Sequence, residues 1–135
     1  MPRLSSTADL ARLRRTLANQ RDPDQRRVMV CGGTGCRAKG AEAVITTLQQ
    51  EIEKQGLQGA VQFVVTGCHG FCERGPVVVV KPEGIFYQGV TPADVPAIVS
   101  ETVACGRAIE RLLYADPTTG ARCRSTRSSR EWCWV

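Results

Sequence analysis

Two glycine-rich stretches decide the fold of this chain: CGGTGC at residues 31–36 and CHGFC at residues 68–72. Each follows a run of residues typical of a short β-strand, at about residues 26–31 and 61–66. Four residues separate the cysteines of the first stretch, and three separate those of the second. Thiols on two such loops indicate one site for a metal ion or an iron–sulfur cluster. The candidate ligands are Cys31, Cys36, Cys68 and Cys72.

The segment between the two cysteine pairs predicts how the loops are brought together. Apolar residues recur at helical spacing from Ala41 to Ile52, which predicts a helix over about residues 37–55 that stops at Gly56. Strand, helix and strand in this order form a right-handed βαβ unit with parallel strands. The second strand is apolar almost throughout, which is typical of a strand covered on both faces. Because parallel strands end at one edge of a sheet, both cysteine loops are expected there.

The remaining segments complete an α/β domain. A helix is predicted at residues 6–20, with Ser6 or Thr7 as N-cap and leucines at helical spacing. KPEG at residues 81–84 predicts a hairpin between strands at 77–80 and 85–88. A last helix is predicted at residues 92–104 after Thr91 as N-cap, with Cys105 as a core thiol.

The predicted order of elements is therefore β-α-β-β-β-α with an extra N-terminal helix. We divide the chain into an N-terminal helical extension at residues 1–25, the α/β domain at 26–106, a linker arm at 107–120 and a disordered tail at 121–135. The tail is rich in arginine and serine and has no periodicity.

Composition and charge narrow the function classes. The net charge is +5, but residues 1–27 hold seven arginines against three aspartates, and the body is close to neutral. A nucleic-acid-binding protein is expected to carry its basic patch on the folded body, so solvated basic ends are favoured over nucleic-acid binding. No stretch approaches the roughly 18 apolar residues of a membrane span. The N-terminus lacks an apolar signal region, and Asp9 disfavours a mitochondrial transit peptide, so we predict the cytoplasm.

The four thiols have several competing interpretations. A thioredoxin-type dithiol requires C-x-x-C, which the chain lacks, and a disulfide framework requires an oxidising compartment. GTGCRA at residues 33–38 matches a dinucleotide-binding fingerprint, but the second strand ends in Thr66 and Gly67, where an acidic residue is expected. A Rieske centre requires two histidines, and the chain has one. We therefore interpret His69 as a neighbour of the site rather than a ligand.

A zinc ion remains an alternative to an iron–sulfur cluster at this site. Structural zinc favours C-x2-C pairs but tolerates C-x4-C, so four thiolates could hold one tetrahedral ion. A 2Fe–2S cluster is larger and suits the wider loops, and glycines allow backbone N–H groups to approach its sulfides closely. Cys36 is predicted to open the long helix, where the helix dipole favours a thiolate. We favour the cluster and keep a zinc-stabilised or cluster-free docking module for a flavoprotein as the alternative.

These motifs resemble a known family. Cys31-x4-Cys36 with Cys68-x3-Cys72, followed by RGPVVVV at residues 74–80, resembles the thioredoxin-like 2Fe–2S ferredoxins. The stretches at residues 87–96 and 111–117 are similar to the N-terminal domain of the NADH-oxidising flavoprotein subunits of NAD(P)-linked hydrogenases and formate dehydrogenases, relatives of complex I. The resemblance covers roughly residues 26–120. It implies a thioredoxin-like 2Fe–2S domain at residues 26–106, with the four cysteines as cluster ligands and Pro76 as a cis-proline position.

The resemblance also implies a one-electron carrier that is not an enzyme on its own. Electrons would pass between a flavin or NAD(P)H dehydrogenase module and further redox centres of a hydrogenase, formate dehydrogenase or complex I-like assembly. The expected partners are a flavoprotein NAD(P)H dehydrogenase subunit and other iron–sulfur subunits. The tail does not resemble a continuation of that family, a pattern typical of truncation or a shifted reading frame, and Cys123 and Cys133 are predicted to be free thiols.

Overall fold

A four-stranded sheet positions both cysteine loops in the computed structural model, which describes residues 3–22, 24–68 and 70–123. The strands are β1 (Arg26–Cys31), β2 (Val61–Thr66), β3 (Val78–Lys81) and β4 (Ile85–Tyr87), in the spatial order β2-β1-β3-β4. β1 and β2 are parallel, whereas β3 is antiparallel to both β1 and β4. The parallel pair confirms that the two cysteine loops leave the sheet at the same edge.

The helix predicted over residues 37–55 is divided in two. α2 spans Thr34–Ala38 and α3 spans Ala41–Lys54, after α1 at Thr7–Gln20. Gly40 separates α2 from α3 with φ 95°, a left-handed conformation that residues with a side chain adopt only with strain. The predicted apolar stripe is confirmed, since the buried residues of α3 are Ala41, Val44, Leu48 and Ile52.

The sheet has a separate apolar core on each face, because successive side chains of a strand point to opposite sides. We call them the helix-side core and the loop-side core. The helix-side core lies under α3 and residues 92–103 and includes Val28, Val30, Leu48 and Ile98. The loop-side core is smaller and consists of Cys31, Cys36, Ala41, Val77, Val79 and Phe86. Two of the four candidate ligands are therefore part of a core.

β2 is an edge strand and is largely unburied, so the expectation that both its faces are covered is wrong. It has β1 as its neighbour on one side, and Gln62 and Val65 are exposed, Val65 to 43%. Its run of valines reflects the preference of β-branched residues for strands rather than burial on two faces. α1, capped by Ser6 as predicted, buries none of its own residues.

Residues 92–103 form one helical segment of changing pitch. It consists of a 3₁₀ turn at Pro92–Asp94, α4 at Val95–Ala97 and a π-helix at Ile98–Val103. The predicted N-cap at Thr91 is confirmed, and Thr91 and Asp94 form a capping box. Cys105 lies beyond this segment and is exposed. The prediction of a core thiol there is wrong, because the helix ends at Val103 before its apolar stripe reaches Cys105.

Residues 107–115 pack against the domain. Leu112 and Leu113 are buried in the helix-side core. The Gln88 N–H donates to the Leu112 carbonyl at 2.9 Å, and the Ile109 N–H donates to the Tyr87 hydroxyl at 2.9 Å. This segment, which we call the arm, is thus held by both backbone and side-chain contacts.

At the end of the arm, β5 (Tyr114–Ala115) pairs with β6 (Arg122–Cys123). Arg122 and Cys123 therefore form a strand within the stretch predicted to be disordered, and the rest of that stretch, residues 124–135 with Cys133, lies outside the described residues. The Gly75–Pro76 bond is cis as predicted, and so is Lys81–Pro82. Among the helices of the described residues, none combines the length and the apolar character of a membrane span. The domain boundaries after residues 25, 106 and 120 stay predictions.

Candidate metal centre

The four candidate ligands meet where β1 and β2 end. Cys31 is the last residue of β1, Cys36 lies within α2, and Cys72 begins a 3₁₀ turn over Cys72–Arg74. The Sγ atoms of Cys68 and Cys72 are 3.4 Å apart. The Cys31 thiol lies close enough to Cys36 and Cys68 to contribute to the pKa shifts of both. Two pairs that are distant in sequence therefore form one group of thiols, as the βαβ unit predicts.

The group has a buried side and an open side. Cys31 is 2% exposed and Cys36 is 1% exposed, because both belong to the loop-side core. Cys68 and Cys72 are exposed. A bound group would thus be covered by the sheet on one side and reachable from solvent on the other.

Glycines line the space between the two loops. A Cβ at Gly75 would lie 2.6 Å from Cys36 Sγ, and a Cβ at Gly35 would lie 2.9 Å from Cys72 Cβ. These distances are well inside the packing distance of about 3.5–4.0 Å for carbon atoms. Side chains at these positions would collide with the cysteines, so the glycines form a cradle that keeps the surroundings of the thiols clear.

Burial and neighbouring thiols shift the pKa values of the cysteines in the metal-free protein. Burial, together with the nearby Cys31 thiol, raises the pKa of Cys36 to about 11. The Gly70 N–H, 3.3 Å from Cys68 Sγ, is the main cause of a lowered pKa at Cys68. The hydrogen bond and charge of Cys68 raise the pKa of Cys72 in turn. Since metal ligands must lose their protons, binding at this site releases protons.

The raised pKa of Cys36 shows that one expectation was wrong, namely that the N-terminus of a helix would stabilise the Cys36 thiolate. Cys36 lies inside the short α2 and not at the beginning of α3, so the dipole of the longer helix does not act on it as predicted. Desolvation determines its pKa instead.

Sequence reasoning missed the side chains that hold the two loops. Arg37 Nε donates to the Gly32 carbonyl at 2.9 Å, and Arg37 pairs with Glu42 at 2.9 Å. Lys39 Nζ donates to the Glu73 carbonyl at 2.6 Å and so connects α2 to the second loop. A basic residue directly after Cys36 was the available signal, because it can reach back across the loop.

A group of aromatic rings beside the second loop was also missed. The centroid of the Phe71 ring lies 5.2 Å from that of Phe86 and 5.8 Å from that of Tyr114, and both pairs meet edge to face. Phe71 stands inside the CHGFC stretch, so its position was visible, but its partners come from distant parts of the chain.

The four thiols lie around the glycine cradle, with Cys31 and Cys36 in the loop-side core and Cys68 and Cys72 on the solvent side. His69 lies outside the described residues, so its role as a neighbour stays a prediction.

The family model described as thioredoxin-like [2Fe-2S] ferredoxin matches residues 16–103. The chain belongs to this family. It is 38% identical over 77 residues to a 2Fe–2S ferredoxin of Clostridium pasteurianum, covering 57% of this chain and 76% of that protein. It is 35% identical over 81 residues to a 2Fe–2S ferredoxin of Aquifex aeolicus, covering 59% of this chain and 73% of that protein.

Solved structures agree with the family. The crystal structure of the wild-type thioredoxin-like [2Fe-2S] ferredoxin from Aquifex aeolicus matches with a TM-score of 0.62 and 31% identity, covering 69% of this chain and 99% of that chain. An air-oxidised NAD⁺-reducing [NiFe]-hydrogenase matches with a TM-score of 0.52 and 12% identity, covering 87% of this chain and 23% of that chain, which shows a shared fold. The predicted fold class and the predicted resemblance are thus confirmed. This ferredoxin carries a 2Fe–2S cluster and is an electron carrier.

Proposed function

We propose that this ferredoxin passes single electrons between a flavin or NAD(P)H dehydrogenase module and further redox centres of a hydrogenase, formate dehydrogenase or complex I-like assembly. We further propose that Cys31, Cys36, Cys68 and Cys72 hold its cluster. The observation that carries the proposal is the meeting of these four thiols across the glycine cradle. The fold that this chain shares with a hydrogenase chain is the observation in favour of a hydrogenase-type assembly.

The two pairs of cysteines would hold the cluster from opposite sides. Cys31 and Cys36 would hold the cluster from the loop-side core, and Cys68 and Cys72 would hold it from the solvent side. When bound, the cluster supplies one-electron chemistry whose potential depends on its ligands, its N–H contacts and its exposure. Because Cys68 and Cys72 are exposed, a redox partner would approach from their side.

The proposed partners are a flavoprotein NAD(P)H dehydrogenase subunit and other iron–sulfur subunits. We place the protein in the cytoplasm, since thiolate ligands have to stay reduced before the cluster is assembled. In this proposal residues 26–106 form the cluster domain, residues 1–25 an extension, and residues 107–120 a linker.

The spectrum of anaerobically prepared protein tests the cluster and its ligands. Wild-type protein should contain about two iron and two sulfide per chain and bleach with dithionite. Cys31→Ser and Cys72→Ser should each abolish the normal spectrum, whereas Cys105→Ala, the matched control at an exposed cysteine outside the group, should leave it. Equal loss in all three variants would refute the ligand set. A colourless protein with one zinc would support the docking-module alternative.

Reduction kinetics test the partner. With NADH and a flavoprotein NADH dehydrogenase subunit, the visible absorbance of the cluster should bleach in a stopped-flow experiment. Bleaching by dithionite but not by any NAD(P)H-linked flavoprotein would overturn the partner and leave the cluster assignment standing.

A further inference from the structure

We propose that Tyr114 is a positioning residue of the cluster site, whose ring supports Phe71 and so holds the loop between Cys68 and Cys72 against the sheet. The inference rests on the ligand set proposed above. Tyr114 lies beyond residues 16–103, where the family model matches, so the role belongs to the arm of this chain.

The ring geometry is the first observation. Phe71, Phe86 and Tyr114 form a triangle with centroid distances of 5.2, 5.8 and 6.1 Å. All three pairs meet edge to face, at interplanar angles of 63°, 71° and 90°. This geometry is the favoured one for aromatic pairs. Phe71 is therefore held between a ring from β4 and a ring from the end of the arm.

The two supporting rings are fixed independently of the loop. Phe86 is 9% exposed in the loop-side core. Tyr114 follows Leu113, which is 1% exposed, and Arg111, which donates to the carboxylate of Asp94 at 2.5 Å. Tyr114 also begins β5. The arm thus brings a rigid ring to the loop, and the loop does not have to hold the ring in place.

Among the described residues of the loop, Phe71 is the one whose ring packs against the core. Between Cys68 and Cys72, Gly70 has no side chain and His69 lies outside the described residues, whereas Phe71 packs against the loop-side core. Hydrogen bonds to other elements hold the segment after Cys72: Lys39 donates to the Glu73 carbonyl, and the Gly89 N–H donates to the Arg74 carbonyl at 2.8 Å. Losing the Tyr114 ring would therefore remove one of the two rings that hold this loop against the sheet.

Amide hydrogen exchange of the metal-free full-length protein tests this directly. In Tyr114→Ala, the amides of residues 70–72 should exchange about two- to tenfold faster, the factor expected from the loss of the one edge-to-face contact between Tyr114 and the loop. Tyr114→Phe keeps the ring and should exchange like the wild type. Residues 44–52 of α3 serve as an internal reference, since they pack in the helix-side core, and their rates should not change. Peptide mass spectrometry measures each rate.

Phe63→Ala is the control for general destabilisation, because Phe63 packs against the helix-side core. If Phe63→Ala accelerates hydrogen exchange at residues 70–72 as much as Tyr114→Ala does, the positioning role is overturned. Unchanged rates in Tyr114→Ala would also overturn it. If circular dichroism shows that Tyr114→Ala does not fold, Tyr114→Leu replaces it. Leucine keeps apolar volume without a ring, so the same acceleration is expected.

A second measurement uses the loaded protein. Anaerobic cluster loss to a chelator should be faster in Tyr114→Ala than in wild type, and the visible circular dichroism of the cluster should change in Tyr114→Ala but not in Tyr114→Phe. The wild-type spectrum tests the ligand set, whereas hydrogen exchange tests Tyr114 without any cluster. Failure of the proposed function and failure of this inference are therefore distinguishable.

Discussion

Replacing Gly75 with alanine isolates one contact on which cluster binding depends. The added Cβ would lie 2.6 Å from Cys36 Sγ and 3.5 Å from Cys36 Cα. Gly75 has φ −70° and ψ 164°, which alanine adopts freely, so the cost comes from the contact and not from the backbone. Overpacking of this kind costs about 1–3 kcal/mol. At 1.36 kcal/mol per tenfold, we expect cluster affinity to fall about 5- to 150-fold.

The assay compares metal-free and loaded protein. Without metal, Cys36 Sγ can rotate away from the new methyl group, whereas as a ligand it is held in place, so the loss should appear mainly in cluster retention. Iron content and visible absorbance after anaerobic reconstitution against a chelator measure that loss. Gly67→Ala is the matched control, since nothing lies within 4 Å of its Cβ. If Gly75→Ala retains its cluster as Gly67→Ala does, the position assigned to Cys36 is refuted.

Three further predictions concern the arm, an ion pair and the thiols. Leu113→Ala should lower the free energy of unfolding of the metal-free protein by about 2–5 kcal/mol in urea, because Leu113 is 1% exposed; a negligible loss would show that the arm is not part of the fold. Burial alone would raise the pKa of Asp94, but hydrogen bonds from Thr91 and Arg111 outweigh it and lower that pKa. The stabilisation by ionised Asp94 is therefore fully present above about pH 4 and is lost as the pH falls through the lowered pKa. Asp94→Asn should thus cost more stability at pH 7 than at pH 3; an equal cost at both would contradict this. In metal-free protein at pH 8, alkylation should modify Cys68 before Cys36, because Cys68 is exposed with a lowered pKa and Cys36 is buried with a pKa raised to about 11; equal rates would contradict this order.

Local patterns in the sequence were sufficient to predict much of the fold and the site. β1 and β2 have the predicted bounds because each is a short apolar run that ends at a glycine-rich loop. The parallel pairing follows from the helix between them. The cysteine group then follows from the edge at which both loops leave the sheet.

Features that depend on distant contacts were not predictable from those patterns. The edge position of β2 is decided by β3, which pairs with the other side of β1. The break at Gly40 is invisible to apolar periodicity, because it depends on a positive φ rather than on residue spacing. The ring triangle joins residues 71, 86 and 114, and no spacing rule connects them. Burial of Cys36, and with it the direction of its pKa shift, likewise depends on the finished loop-side core.

The separate cores on the two faces of the sheet couple metal binding to one face more directly than to the other. Val28 and Val30 belong to the helix-side core, which contains none of the four cysteines. The loop-side core contains Cys31 and Cys36, so the free energy of metal binding is coupled to that face. Amide hydrogen exchange would then show local opening near the cysteine loops in the empty protein while α3 stays protected. Such a domain could be emptied and refilled without unfolding as a whole.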